Sequence, residues 1–126
     1  MGKTAVFVLT ILHQLEENPK PVSALIICHT RELAYQIKNE FNRFTKYLPN
    51  IRTEVMYGGQ PIQEHINLLK GLKPPHIIVG TPGRIKALAT QKHIDFSNLK
   101  IFVLDECDRM LEETGMKSKS QHHRSL

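Results

Sequence analysis

The sequence predicts an α/β fold: a parallel sheet with flanking helices. Three observations carry that expectation. Short, nearly unbroken apolar runs, suited to strands buried on both faces, alternate with segments whose apolar residues recur at helical spacing. The connections are only a few residues long, and such strand–helix alternation builds parallel sheets. Polar clusters follow directly on four of the extended segments, where ligands gather in sheets of this kind.

Taken in order, residues 4–17 place Ala5, Val8, Leu9, Leu12 and Leu15 at helical spacing, and Asn18, Pro19, Lys20 and Pro21 end that segment. Residues 22–28 are a short apolar run, expected as a buried strand. Helical spacing returns over 30–48 through Leu33, Ile37, Phe41, Phe44 and Leu48, with Thr30 as N-cap. Residues 51–57 alternate apolar and polar side chains and run into Gly58 and Gly59. Pro61 suits the first turn of a helix reaching Leu69, with Gly71 behind it. Residues 76–79 predict another buried strand, after which Thr81 and Pro82 cap a helix through Ala87. Residues 100–104 predict the fourth strand, leading into Asp105 and a short helix over 109–113. No periodicity remains beyond Gly115, so 114–126 is expected as a disordered tail.

Composition narrows the class. The 126 residues fit one domain, and 40% hydrophobic with 23% charged residues sustains a core and excludes wholesale disorder. The apolar run at 5–9 is far too short to span a bilayer, and no secretory leader opens the sequence, so no membrane partner is expected. Cys28 and Cys107 make neither a disulfide framework nor a paired metal motif, which points to a reducing compartment. The net charge is +5, but Lys117, Lys119 and Arg124 in the acid-free tail account for three of these, leaving +2 elsewhere. Any nucleic-acid site must therefore come from local arrangement, not from a globally basic surface.

Asp105 and Glu106 follow the apolar run at 101–104. A carboxylate there can hold magnesium through its water shell, and a neighbouring carboxylate can orient or deprotonate an attacking water. A solvated acidic turn is the bland alternative for Asp-Glu-x-Asp; its place after a buried strand weighs toward the functional one. Gly2, Lys3 and Thr4 open a helix. In a phosphate-binding loop the glycine admits close backbone approach, the lysine reaches the β- and γ-phosphates, and the hydroxyl ligates magnesium. Alone, so short a motif is best read as chance; paired with Asp-Glu-x-Asp about 100 residues on, it looks like half of one nucleotide site.

Thr30, Arg31 and Glu32 start a helix after a strand, where free amides and an arginine can grip a phosphate. A capped helix with a solvated charge pair fits the same residues equally well. Thr81, Pro82, Gly83 and Arg84 repeat that geometry with the same alternative. Gly58 and Gly59 allow close backbone approach, or simply form a loop. His122 and His123 lie in the expected tail and are discounted as ligands, while Cys28 and Cys107 read as packing thiols. Phe41, Phe44 and Tyr47 read as core or partner-facing residues, not as a base-stacking platform.

Together, Met1-Gly2-Lys3-Thr4, Thr30-Arg31-Glu32-Leu33-Ala34, Gly58-Gly59, Thr81-Pro82-Gly83-Arg84 and Asp105-Glu106-Cys107-Asp108 resemble, in order and spacing, the first half of a DEAD-box RNA helicase. Three details resemble the DECD-box subgroup of spliceosome assembly and mRNA export: Cys107 within the acidic motif, Cys28-His29 before Thr30, and Met1 before Gly2. The resemblance implies a partial N-terminal RecA-like domain over 1–113 and a divergent tail over 114–126. It implies ATP and Mg2+ as cofactors, with Gly2, Lys3 and Thr4 on the phosphates and Thr4 and Asp105 at the metal. Lys3 and Glu106 would be catalytic, Glu106 by activating water, and Asp108 would couple the nucleotide site to the rest of the motor. Thr30, Arg31, Gly58, Gly59, Thr81, Gly83 and Arg84 would line a track for the backbone of single-stranded RNA, with little sequence specificity. The further partners implied are a second RecA-like domain and splicing or export factors. The implied location is the nucleus, with the cytoplasm as a second place.

Some family parts have no counterpart in these 126 residues: the adenine-reading segment, the first glycine of the phosphate loop, a Ser-Ala-Thr motif, and the second domain with its arginine fingers. The expectation is a helicase fragment that is inactive alone and whose sheet has exposed apolar edges beside the 100–104 strand. A different class of function is also open: a non-catalytic RNA- or partner-binding module that competes with the full helicase. A P-loop kinase is disfavoured, because Thr-Arg-Glu-Leu-Ala and Thr-Pro-Gly-Arg have no role there.

Overall fold

The computed structural model describes residues 2–15, 19–48 and 50–105. Within them helix and strand alternate throughout: α1 (Gly2–Gln14), β1 (Ala24–Cys28), α2 (Arg31–Phe44), β2 (Thr53–Met56), α3 (Ile62–Lys70), β3 (Ile77–Gly80), α4 (Pro82–Thr90) and β4 (Ile101–Asp105). The strands form one sheet in the order β2-β3-β1-β4, and all three pairings are parallel. The predicted fold class is therefore the observed one. The register sets Ala24 level with both Ile77 and Ile101, and Cys28 level with Asp105.

The path of the chain explains the layering. From β1 it runs outward past β3 to β2, then reverses, returning to β3 and crossing β1 to reach β4. A right-handed crossover puts its helix on one face when the chain moves one way and on the opposite face when it moves back. Accordingly α2 packs on one face and α3 and α4 on the other. Val8 and Ile11 of α1 and Ala34, Ile37 and Phe41 of α2 join Ala24, Ile26, Cys28, Ile77 and Val79 in one core cluster. Ile66 of α3 and Ile85 and Leu88 of α4 join Leu25 and Ile78 in the second. Alternate strand residues thus feed opposite layers, which is why these strands read as unbroken apolar runs.

The element ends depart from the expectation for identifiable reasons. β1 starts at Ala24 rather than Val22, because Val22 holds a left-handed φ of 55°. Its amide donates to Pro75 O over 2.9 Å and the Ser23 amide to His76 O over 2.8 Å, fixing a conformation a β-branched residue rarely adopts. α2 stops at Phe44, four residues short, where the amide and hydroxyl of Thr45 both bond Phe41 O, at 2.8 and 2.7 Å. Phe41 is fully buried and Phe44 packs at the core margin, while Tyr47, beyond the helix, is 83% exposed. Pro61 is the extended residue before α3 and not part of its first turn. α4 runs on to Thr90, past the expected end at Ala87. Its closure is a Schellman turn: the His93 amide bonds Leu88 O and the Lys92 amide bonds Ala89 O, with Lys92 left-handed at φ 63°.

β4 borders the described sheet, yet Ile101 and Val103 are 6% and 9% exposed. Phe102 and Leu104 of the same strand are only half-buried, so β4 covers one set of its alternate side chains more fully than the other. The expected helix over 109–113, the tail over 114–126, and Glu106, Cys107 and Asp108 lie outside the described residues. Cys28 is fully buried, as a packing thiol should be. Among the described residues no helix is long and apolar enough to cross a membrane.

Candidate functional site

β1 and β3 are neighbours, but α2 leaves β1 over one face while α4 leaves β3 over the other. Where successive connections diverge in this way a crevice opens beyond the strand ends, and ligands bind there. Thr30 and Arg31 stand on the β1 side of that point and Thr81, Gly83 and Arg84 on the β3 side. Gly58 and Gly59 follow β2, next along the sheet, and Asp105 ends β4 beyond β1. Three of the clusters singled out in the sequence, and Asp105 of the fourth, therefore stand at one end of four adjacent strands.

Helix starts on this face differ in charge. α2 and α3 carry Glu32 and Glu64 in their first turns, whereas α1 and α4 carry no acid there. The positive ends of α1 and α4 thus meet no acid in their own first turns, which favours external anions. Thr30 caps α2 as expected, its hydroxyl accepting from the Leu33 amide over 3.1 Å. Thr81 departs from expectation. It sits at the N-cap of α4 but makes no side-chain capping bond, so no side chain closes that helix start.

Gly80 explains how α4 comes so close. A Cβ there would lie 2.5 Å from Ile85 Cδ1 and 2.7 Å from the Met56 carbonyl oxygen. Only a glycine lets Ile85 seat over the end of β3, and that contact sets the position of the Thr81–Arg84 turn. Gly59 has a φ of 98°, which favours glycine, and a Cβ there would lie 3.9 Å from Arg31 Nη1.

Arg31 and Arg84 are held differently, although motif reading treats them alike. Arg31 is exposed, with its guanidinium 5.4 Å from the centroid of the Tyr57 ring. Arg84 is half-buried and its fork is engaged: Nη1 donates to His65 Nδ1 over 3.0 Å and Nη2 to Gln60 O over 2.8 Å. A guanidinium only donates, so His65 Nδ1 must accept. The His65 proton then lies on Nε2, which donates to Gln60 Oε1 over 3.2 Å. His65 is 2% exposed; burial, and then the charge of Arg84, hold its pKa below the ordinary value of 6.5. The ring of Tyr57 meets His65 edge-on at 6.5 Å, and the Tyr57 and Tyr35 hydroxyls lie 2.9 Å apart. A continuous chain of contacts thus links Arg31, Tyr57, His65 and Arg84.

Tyr35, Gln60, His65 and Gly80 are site residues that motif reading passed over. Tyr35 carried a signal, since it lies one helical turn from Arg31 on α2. Gln60 and His65 carried none, because their partner Arg84 is distant in sequence and arrives only through the β2–α3–β3 path.

Of the residues expected at a nucleotide, Gly2 and Lys3 open α1, Thr4 is half-buried, and Asp105 ends β4 level with Cys28. Among the described residues no three His, Cys, Asp or Glu groups gather to hold a metal. The hydroxyl of Thr4 and the carboxylate of Asp105 are hard oxygen donors of the kind magnesium takes, usually one or two at a time beside waters and phosphates.

Fold and face together define a parallel α/β domain with an anion-suited rim at its strand ends. The chain belongs to the DEAD/DEAH box helicase family, whose model matches residues 1–126. It is 57% identical over 125 residues to the ATP-dependent RNA helicase sub2 of Aspergillus fumigatus, covering 98% of this chain and 28% of that protein. It is 58% identical over 122 residues to the protein of the same name from Emericella nidulans, covering 96% of this chain and 28% of that one. The chain thus spans little more than a quarter of these relatives. Among solved structures, it resembles the yeast DEAD-box splicing factor Prp28 with a TM-score of 0.71 and 26% identity, over 95% of this chain and 29% of that one. It also resembles S. cerevisiae Dbp5 bound to RNA and ADP BeF3, with a TM-score of 0.68 and 30% identity, over 98% of this chain and 30% of that one.

Proposed function

We propose that these residues are part of the first RecA-like domain of an ATP-dependent DECD-box RNA helicase of pre-mRNA splicing and mRNA export, acting in the nucleus. The observation that carries the reading is that the Thr30, Gly58 and Thr81 clusters and Asp105 follow or end four adjacent parallel strands at one end of the sheet. The name shared by the sub2 relatives and the Asp105-Glu106-Cys107-Asp108 motif support the subgroup. Splicing or export factors and a second RecA-like domain are the partners this reading supplies.

In this reading Gly2, Lys3 and Thr4 hold the ATP phosphates at the start of α1, and Thr4 and Asp105 hold magnesium. The magnesium supplies charge neutralisation at the phosphates when bound. Glu106 orients the attacking water and accepts its proton, and Asp108 couples the site to the partner domain. RNA lies across the rim. Thr30, Arg31, Gly58, Gly59, Thr81 and Gly83 face its backbone, while Arg84 holds the rim together from behind. Backbone contacts leave base identity unread. Alone, the chain is inactive as an ATPase, because the arginine fingers that contribute roughly 10³–10⁵ in rate in related sites have no counterpart in it.

The test is NMR of the purified 126-residue chain with single-stranded oligouridylate and, separately, ATP with magnesium. The expected result is RNA-induced shifts at the Arg31, Gly58, Gly59, Thr81 and Gly83 amides, nucleotide-induced shifts near Lys3 and Thr4, and no ATP turnover. RNA shifts confined to another surface would contradict the reading.

A further inference from the structure

We propose that His65, which no motif includes, is a positioning residue: as a neutral imidazole it joins the Gly58–Gly59 turn and the start of α4 into one unit and so sets the shape of the RNA-contacting rim. This rests on the reading of the rim as an RNA track.

The geometry is specific. One buried ring uses both nitrogens, accepting from Arg84 Nη1 at 3.0 Å and donating to Gln60 Oε1 at 3.2 Å. Gln60 directly follows Gly59, and Arg84 lies in the first turn of α4 beside Gly83. Arg84 closes the triangle by donating to Gln60 O over 2.8 Å. Two segments that touch RNA from different strands therefore share one clamp. Gly58 and Gly83 have nothing within 4 Å of where a Cβ would stand, so both face open space.

The clamp depends on protonation. A proton on Nδ1 removes the acceptor for Arg84 and sets a second cation against the guanidinium. The groups facing His65 are Arg84 from α4, the Tyr57 ring from the end of β2, Gln60 from the turn, and Glu64 beside it on α3. Of these, only Glu64 favours the added charge, and its influence is smaller than those of burial and Arg84. Protonated His65 therefore releases Arg84, and the two turns lose their common support.

The experiment uses the purified chain and oligouridylate as probe. The Gly59 and Gly83 amides and the His65 ring are followed by NMR between pH 7.5 and 5.5 without RNA, and RNA is then titrated at both pH values. The expected result is that both amides titrate together with the His65 ring and that RNA affinity falls at the lower pH by up to about 10-fold, the ceiling that linkage sets for a group whose pKa lies below 6.5. His65→Gln, whose amide oxygen accepts from Arg84 at either pH, should bind equally at both and more tightly than His65→Ala. Amides that do not follow the ring, or wild-type pH dependence persisting in His65→Gln, would overturn the proposal. Absence of RNA binding at pH 7.5 would overturn the RNA track and the positioning role with it. That outcome differs from failure of the clamp alone, in which RNA binds without His65-linked pH dependence.

Discussion

Arg84 donates to Nδ1 of His65 over 3.0 Å, although the two residues lie on different helices and follow different strands. A matching bond stands at the other end of the sheet, where the Arg52 amide donates to His76 Nδ1 over 3.0 Å. Both histidines are held neutral, His65 by burial and Arg84, His76 by burial and Arg52, and both pKa values lie below 6.5. Between those lowered values and 6.5, the unfolded chain binds protons that the folded chain does not. Stability should therefore fall as pH drops below about 6.5, with its slope easing once the folded-state values are passed. Urea denaturation at several pH values checks this; unchanged midpoints from pH 7.5 to 5 would contradict it.

Gly80→Ala should destabilise the fold by about 1–3 kcal/mol, since the added methyl overlaps both Ile85 and a backbone carbonyl that cannot swing aside. Because Ile85 seats α4, the Gly83 and Arg84 amides should also shift. Thermal denaturation and an NMR spectrum read the two effects.

Thr30 and Thr81 make a matched pair. Thr30→Ala removes a formed capping bond and should cost about 0.5–2 kcal/mol. Thr81 makes no such bond, so Thr81→Ala should change stability by no more than about 0.5 kcal/mol while weakening RNA binding. Equal stability losses would show that Thr81 is a structural cap.

The strands and their order along the chain were legible because Ile26, Ile78 and Val103 sit in runs whose alternate residues feed two apolar layers. The strand order in space was not, since it follows from crossover handedness. The end of α4 was misplaced because a lysine, not a glycine, occupies the left-handed position after it. In the site, the clusters stood out because each follows a strand. The engagement of Arg84 did not, because its partners Gln60 and His65 are contiguous with it only in space. Motif reading therefore picked out the clusters but assigned Arg84 the same free role as Arg31.

Lys92 at φ 63° gives a direct check of that misplaced helix end. Lys92→Gly should stabilise the chain by up to about 1 kcal/mol, the strain relieved at a left-handed residue being offset in part by the greater freedom of glycine when unfolded. A loss of stability in urea denaturation would mean that the lysine side chain contributes more than its backbone costs.

The central claim is that the rim takes the backbone of single-stranded RNA, and the most direct measurement is a titration of oligouridylate and a mixed-sequence oligonucleotide onto the chain at several salt concentrations. With one phosphate neutralised by Arg31, log K should fall against log salt with a slope of roughly −0.7, the value per phosphate on a single strand. The two RNAs should bind alike, and Arg31→Ala should weaken both equally and make the slope shallower. A strong preference for one sequence, or an unchanged affinity and slope in Arg31→Ala, would place the RNA elsewhere.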